Sequence, residues 1–241
     1  GSVTVESAKI MKGTLYGIGV GPGDPELLTF KAARIINESP VIAYPAPETG
    51  NSLSRQIANK YIPPGRTEII IRTPMEVGSF PANEVYNEYA GQISNHLMEE
   101  RDVAVLCEGD PFLYGSFMYI FLRLSDNFRT EVVPGVSSIG ACSAAAGWPL
   151  VSRNQTLLII PATLKFDDLI ERISKADTVA IMKIGKHFDK VRGVIKRLRL
   201  CESSCYVEHA SMIDQKVFPL NSIRELVAPY FSMILVRKLD R

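Results

Sequence analysis

Three short turns hold the residues whose types could do chemistry: Gly19-Val20-Gly21-Pro22-Gly23-Asp24, Glu108-Gly109-Asp110-Pro111 running on to Gly115, and Pro134-Gly135-Val136-Ser137-Ser138. Glycine lets backbone approach backbone or ligand with no Cβ in the way, and proline stiffens the turn around it. Each turn lies at the end of an expected strand, at residues 15–20, 103–111 and 130–135. In a parallel sheet the carboxyl ends of the strands share one edge, so turns far apart in sequence should converge there on a ligand. Any one of them is also compatible with a plain strand-to-helix connection that binds nothing; the three in this order point to a site.

The first turn is not a dinucleotide fingerprint, which needs glycine at its first, third and sixth positions. Counting from Gly17 the sixth residue is Pro22, and from Gly19 it is Asp24. The acid that would hold a ribose after the second strand is also missing, because that strand ends in Tyr44-Pro45. No Gly-Lys-Ser/Thr follows, which excludes a phosphate-binding P-loop. A nucleotide-like site of another design remains.

The elements that must position these turns follow from hydrophobic periodicity. Strands are expected at 15–20, 41–45, 68–72, 103–111 and 130–135. Helices are expected at 27–37 (opened by Asp24-Pro25-Glu26), 52–61, 83–100, 113–124 and 137–146, with an irregular loop at 74–81. This alternation predicts right-handed crossovers and a largely parallel sheet covered on both faces. From Trp148 the pattern restarts, with strands at 157–161, 178–183, 204–210 and 233–238 and helices at 166–175 and 188–198, which suggests a mixed sheet. The expected fold class is therefore α/β, as two α/β domains, 11–136 and 137–241, with the active-site cleft between them.

The 241 residues suit two domains of about 110–130 residues each. A content of 46% hydrophobic and 22% charged residues is ordinary globular material. The net charge of +1 conceals an asymmetry: residues 151–200 hold 11 Lys/Arg against 5 Asp/Glu, whereas residues 1–100 hold 8 against 11. The basic half could meet an acidic ligand or be a solvated face. Cys107, Cys142, Cys201 and Cys205 form no disulfide framework and no metal-ligand spacing, so free thiols in a reducing cytoplasm and no metal are expected. No apolar run has the length of a membrane span and no signal peptide is evident; Gly1-Ser2 looks like a cloning remnant.

The quoted motifs resemble those of the tetrapyrrole methyltransferases that use S-adenosylmethionine: VGPGDPELLT at 20–29, GDPFLYG at 109–115 and EVVPGVSS at 131–138, followed by Gly147-Trp148-Pro149-Leu150. The resemblance runs from about residue 12 to 238. Within that family, EGDPFLYGSFMYIF after the fourth strand, RTPM at 72–75 and HASMIDQKV at 209–217 look most like the branch that methylates C20 of precorrin-2 to precorrin-3A in cobalamin biosynthesis. The resemblance implies a bilobal homodimer that binds S-adenosyl-L-methionine, releases S-adenosyl-L-homocysteine and takes a tetrapyrrole as substrate. Carried over by position, the cofactor contacts would be Pro22, the turn Glu108-Gly109-Asp110, Leu113, Ser137, Ser138, Met182, Ala210 and Ser232. Backbone groups of the glycine turns would hydrogen-bond the cofactor, and Leu113 and Met182 would lie against its adenine. Asp110 would accept from a ribose hydroxyl or an ammonium, or cap the helix after it.

Methyl transfer to an electron-rich carbon is an in-line displacement that needs positioning more than a strong base. Asp110 and Glu108 are the candidate catalytic residues, with Glu208 and His209 weighed beside them; His96 is read as a surface residue, and His187 as exposed or touching substrate. An octa-acid substrate calls for cations at strand ends, here Arg72, Arg153, Lys183 and Lys186. Two alternatives stand: the same fold acting on cobalt-factor II of the anaerobic branch, and a nucleic-acid-binding module using the basic half. Against the latter, no aromatics interleave the Lys/Arg cluster, so neither nucleic acid nor membrane is an expected partner.

Overall fold

The computed structural model describes residues 12–73 and 82–238, with Thr4 and Lys9. It divides into two compact units, Gly1–Ser137 and Ser138–Arg241. In the first, β1 (Leu15–Gly19), β2 (Val41–Pro47), β3 (Thr67–Thr73), β4 (Val103–Cys107) and β5 (Thr130–Val133) form a sheet in the order β3-β2-β4-β1-β5, every pairing parallel. Among the described residues it is accompanied by the helices α1 (Phe30–Glu38), α2 (Leu53–Ala58), α3 (Ala82–Met98) and α4 (Phe117–Leu124).

The central strand β4 is buried at all five positions, as expected of a strand covered on both faces. Its side chains alternate between two cores. Val103, Val105 and Cys107 pack with Ile93 and Leu97 of α3 and Phe117 and Ile120 of α4, whereas Ala104 and Leu106 pack with Ile35 and Ile36 of α1 and Ile57 of α2. A one-residue slip would exchange the two sets, so the register is fixed by packing.

In the second unit α5 (Ser138–Ala146) precedes β6 (Leu157–Pro161), α6 (Phe166–Ser174), β7 (Thr178–Met182), α7 (Phe188–Arg197), β8 (Ser204–Glu208), β9 (Lys216–Pro219) and β10 (Ser232–Arg237). The sheet order is β6-β7-β10-β8-β9; β6 and β7 are parallel, while β10 runs antiparallel to both β7 and β8, and β9 to β8. The mixed sheet expected from the sequence is therefore present. Its core gathers Ile160, Leu169, Ile181, Phe188, Val191 and Ile234, each at most 1% exposed, and burying such a side chain is worth about 1.5–3 kcal/mol.

Three local expectations are corrected. Asp24 and Pro25 open only a three-residue 3₁₀ turn, Pro25–Leu27, and the helix proper starts afresh behind Thr29, whose hydroxyl accepts from the Ala32 N–H at 3.0 Å. The helix expected from residue 113 begins at Phe117, because Tyr114 takes a left-handed φ of 54° that interrupts it. Strand β9 was not anticipated: its four residues are all exposed, so no apolar alternation marks it. The expected loop at 74–81 lies outside the described residues.

Candidate functional site

Strands β4, β1 and β5 are neighbours in the first sheet, so the three glycine turns leave from adjacent strand ends. They are stitched together. Val20 N–H donates to Cys107 O at 2.9 Å, and Gly21 and Gly109 exchange both backbone hydrogen bonds, at 2.8 and 3.3 Å. Gly135 N–H donates to Asp110 Oδ1 at 3.0 Å, joining the third turn to the second. The approach is close enough that a Cβ on Gly19 would come within 2.7 Å of Gly109 O, and one on Gly135 would overlap that same oxygen. Glycine at these positions is a packing requirement of the convergence.

Asp110 is accordingly a clamp. Its second oxygen, Oδ2, accepts from Phe112 N–H at 3.0 Å, so the carboxylate closes its own turn and holds the β5 turn beside it. The expectation that it caps the following helix is corrected, since α4 starts seven residues later, at Phe117, behind Ser116, whose side chain makes no capping bond. Gly109 commits its N–H and carbonyl to Gly21, which leaves only the carbonyl's second lone pair for a ligand. Pro22 is buried in the first turn and Leu113 is half-buried in the second, while Ser137 ends the first unit and Ser138 opens α5 in the other. Glu108 is half-buried and faces the backbone N–H of Ser54 at the start of α2. Burial pushes its carboxyl above the usual range, and its own N–H and that of Ser54 offset part of the rise.

In the second unit β10 is antiparallel to β7 and β8, so its first residues share an edge with the last residues of those strands: Ser232 pairs with Glu208, and Ile234 with Ile181. Met182, Ala210 and Ser232 thus belong to one edge of that sheet; Ala210 and Ser232 are buried and Met182 is half-buried. The Tyr206 hydroxyl donates to Glu208 Oε1 at 2.6 Å and lies 3.4 Å from Ser232 Oγ. Burial and the Glu208 bond push that phenol well above its usual value. Lys183, His209 and Ser211, all just beyond strand ends, hold φ of 57°, 50° and 68°. Non-glycine residues kept in that region store strain, and such strain collects at functional sites.

The histidines are placed as follows. His209 Nδ1 lies 2.7 Å from Asp214 Oδ2, and the bond holds the Asp214 carboxyl below its usual range. His187 is half-buried, with Nδ1 3.3 Å from Lys190 Nζ. Burial, and then the Lys190 and Lys186 charges, depress its pKa. His96, read as a surface residue, is half-buried near the end of α3 and accepts from Arg101 Nε at 2.9 Å.

Of the expected substrate cations, Arg153, Lys183 and Lys186 are exposed in the second unit. Arg72, at the penultimate position of β3, lines a cavity of about 340 Å³ together with Tyr44, Ser52, Arg55, Gln56 and Ile70. Sequence reasoning missed this cavity and Arg55. The residues that build it come from two strands and a helix start, and the Arg55–Glu68 pair that shapes its wall, at 2.6 Å, carries no motif.

Comparison with known proteins bears on the whole arrangement. A family model described as tetrapyrrole (corrin/porphyrin) methylases matches residues 14–226. The cobalamin biosynthesis protein CobIJ of Mycobacterium tuberculosis is 39% identical over 93% of this chain, which spans 46% of that protein; the chain is thus about half as long as the curated relatives it first matches. The precorrin-2 C(20)-methyltransferase of a Sinorhizobium species is 34% identical over 93% of this chain and 95% of its own length. Among solved structures, the uroporphyrin-III C-methyltransferase of Thermus thermophilus complexed with S-adenosyl homocysteine superposes with a TM-score of 0.70, at 23% identity over 94% of this chain and 98% of that one.

Proposed function

We propose that this chain, which belongs to the tetrapyrrole (corrin/porphyrin) methylases, transfers a methyl group from S-adenosyl-L-methionine to C20 of precorrin-2, giving precorrin-3A and S-adenosyl-L-homocysteine. The observation that carries the reading is the stitching of three turns, after β1, β4 and β5, into one floor through Gly21, Gly109, Asp110 and Gly135. A floor held by backbone bonds and a half-buried carboxylate clamp is preorganised, so little has to move to hold a donor and acceptor in line. The relative from Sinorhizobium, named for C20 methylation and aligned along nearly its whole length, supports the choice of carbon.

In the first unit the residues present suit an adenosyl sulfonium ligand: half-buried apolar Leu113, the Ser137 hydroxyl, and close backbone at Pro22 and Gly109; in the second unit, taken by itself, Ser138, Met182, Ala210 and Ser232 are the positions proposed as cofactor contacts. When bound, the donor supplies a sulfonium-activated methyl. Asp110 acts by fixing the floor, and Glu108, whose carboxyl burial disfavours the charge, is the group suited to receive the proton lost from the methylated carbon. Arg72, Arg153, Lys183 and Lys186 are proposed to meet substrate carboxylates. The working state is proposed to be a cytoplasmic homodimer, a compartment to which the unpaired Cys107, Cys142, Cys201 and Cys205 are suited.

The test is incubation of the purified protein with precorrin-2 and S-adenosylmethionine labelled with ¹³C at the methyl, in parallel with the cobalt-loaded substrate. A single labelled methyl at C20 by NMR is the expected result. A label on another carbon, or no transfer to either macrocycle, overturns the assignment.

A further inference from the structure

The cavity beside β3 has a feature that the methyl-transfer reading does not require. Arg72 Nη1 spends both of its hydrogens on backbone carbonyls, donating to Pro47 O at 2.9 Å and to Gly50 O at 3.1 Å. Gly50 sits at φ 111°, a conformation that side-chain-bearing residues rarely adopt, in the loop that brings its carbonyl to the guanidinium. A guanidinium has five N–H groups. With Nη1 used up, the Nε–H and Nη2–H edge is left, and that edge is the planar fork that fits the two oxygens of a carboxylate.

The charges around the cavity match a single anion. Arg55 is neutralised by Glu68 at 2.6 Å, and the same carboxylate accepts from Tyr44 OH at 2.9 Å. Among the described residues Arg72 has no carboxylate within ion-pair distance, so of the two arginines lining the cavity it is the one without an acidic partner there. Ile70 offers an apolar wall suited to methylene groups, and Gln56 an amide. The volume of about 340 Å³ exceeds that of one short acid arm and leaves room for the edge of the ring that bears it. The cavity also adjoins the floor: Ser52, on its wall, lies 3.0 Å from Ser54 by their hydroxyls, and the Ser54 N–H faces Glu108 at the end of β4.

We propose that this cavity is the subsite for one carboxylate arm of the macrocycle, gripped bidentately by the Nε/Nη2 edge of Arg72. The proposal rests on the tetrapyrrole reading and deepens it, since it assigns one acid arm to one fork within the first unit. The two carbonyls hold the guanidinium in place before the ligand arrives, so the ordering cost that usually weakens an exposed ion pair is reduced. Lysine at the same position would keep the charge and lose the fork.

The experiment measures the affinity of uroporphyrin III, a non-reacting octa-acid, by fluorescence quenching for the wild-type chain, Arg72→Gln and Arg72→Lys. Calorimetry of S-adenosylhomocysteine binding to all three runs beside it. Both variants are expected to weaken uroporphyrin III by about tenfold or more, the size of a lost charge-assisted bond, and to leave the S-adenosylhomocysteine affinity unchanged. An Arg72→Lys chain that binds uroporphyrin III like wild type overturns the fork. Equal loss of both ligands reduces Arg72 to an anchor of the 47–50 loop, and a wild-type chain that binds sodium propionate as tightly as uroporphyrin III makes the cavity a site for free carboxylates. Loss of precorrin-2 methylation in a wild-type chain whose uroporphyrin III binding still depends on Arg72 would sink the C20 assignment and leave the subsite standing.

Discussion

Glu108 and Asp110 lie two residues apart on one turn, and their surroundings give them opposite work. Asp110 uses one oxygen on Gly135 N–H and the other on Phe112 N–H, so its charge is met by the backbone it organises. Glu108 is pressed among atoms that disfavour its charge. The folded state therefore holds the Glu108 proton more tightly than the unfolded chain does, and a pKa raised on folding means stability that is present below the ordinary carboxyl pKa and lost as pH rises through the folded value. Glu108→Gln removes that loss. In thermal melts from pH 4 to pH 8 the variant is expected to match wild type at the acid end and to gain on it steadily toward neutrality, while its methyl-transfer rate at saturating substrate falls by about 10²-fold, the scale of a removed proton acceptor. Stability and rate moving in opposite directions mark a group kept for chemistry. A variant destabilised at pH 8 with an unchanged rate would make Glu108 a structural partner of Ser54.

At the scale of elements, the helix after the first glycine turn shows what governs the approach to the site. Asp24 accepts from the exposed Glu26 N–H, across a three-residue turn, whereas the Thr29 hydroxyl accepts from Ala32 N–H at the head of the nine-residue α1, whose Ile35 and Ile36 enter the core. Thr29→Ala should cost about 1 kcal/mol, which lowers the melting temperature by about 2–4 °C in a chain of this size. Asp24→Ala should cost a small fraction of that, and differential scanning calorimetry of the two variants decides which residue opens the helix. The sequence offered Asp24-Pro25-Glu26 as the start signal and misled, because proline at a first turn is equally at home in a 3₁₀ turn. Elsewhere periodicity served well: β4 was legible within the expected strand 103–111 because a strand buried on both faces must be apolar throughout, although it ends at Cys107, and the mixed second sheet was legible from its irregular helices. Strand β9 was not, since Lys216, Val217, Phe218 and Pro219 are all exposed and owe their conformation to pairing with β8. The same division runs through the site. The convergence of the glycine turns could be read from strand ends, whereas the Asp110–Gly135 clamp and the Arg72 fork depend on pairs of residues separated by more than twenty positions and no local pattern announces them.

At the scale of the whole chain, hydrogen-bond ladders and cores are partitioned. Among the described residues, strands β1–β5 pair only with one another, and so do β6–β10. The two cores of the first sheet draw on residues from Leu15 to Val133, and the core of the second on residues from Leu158 to Val236. Helix α5, which begins the second unit, packs on β8 and β10, so a cut before Ser138 leaves that helix with the sheet it covers. A fragment comprising residues 138–241 keeps every strand pairing of its sheet and the whole of its apolar cluster, which is the condition for independent folding. Its sheet is built largely from antiparallel neighbours, and its parallel pair β6–β7 is joined by a single short crossover through α6. The fragment is expected to unfold in urea as one cooperative transition, with a slope of about 1 kcal/mol/M or more, and with coincident far-ultraviolet and near-ultraviolet signals, the latter from Trp148 and the buried Tyr206. Fragment 1–137 should refold more slowly, because its five strands are all parallel and each pairing closes a long loop before any contact rewards it. Non-coincident transitions, or dye binding typical of a fluctuating core, in fragment 138–241 would show that its packing depends on the first unit, and the partition of cores would then not be a partition of stability.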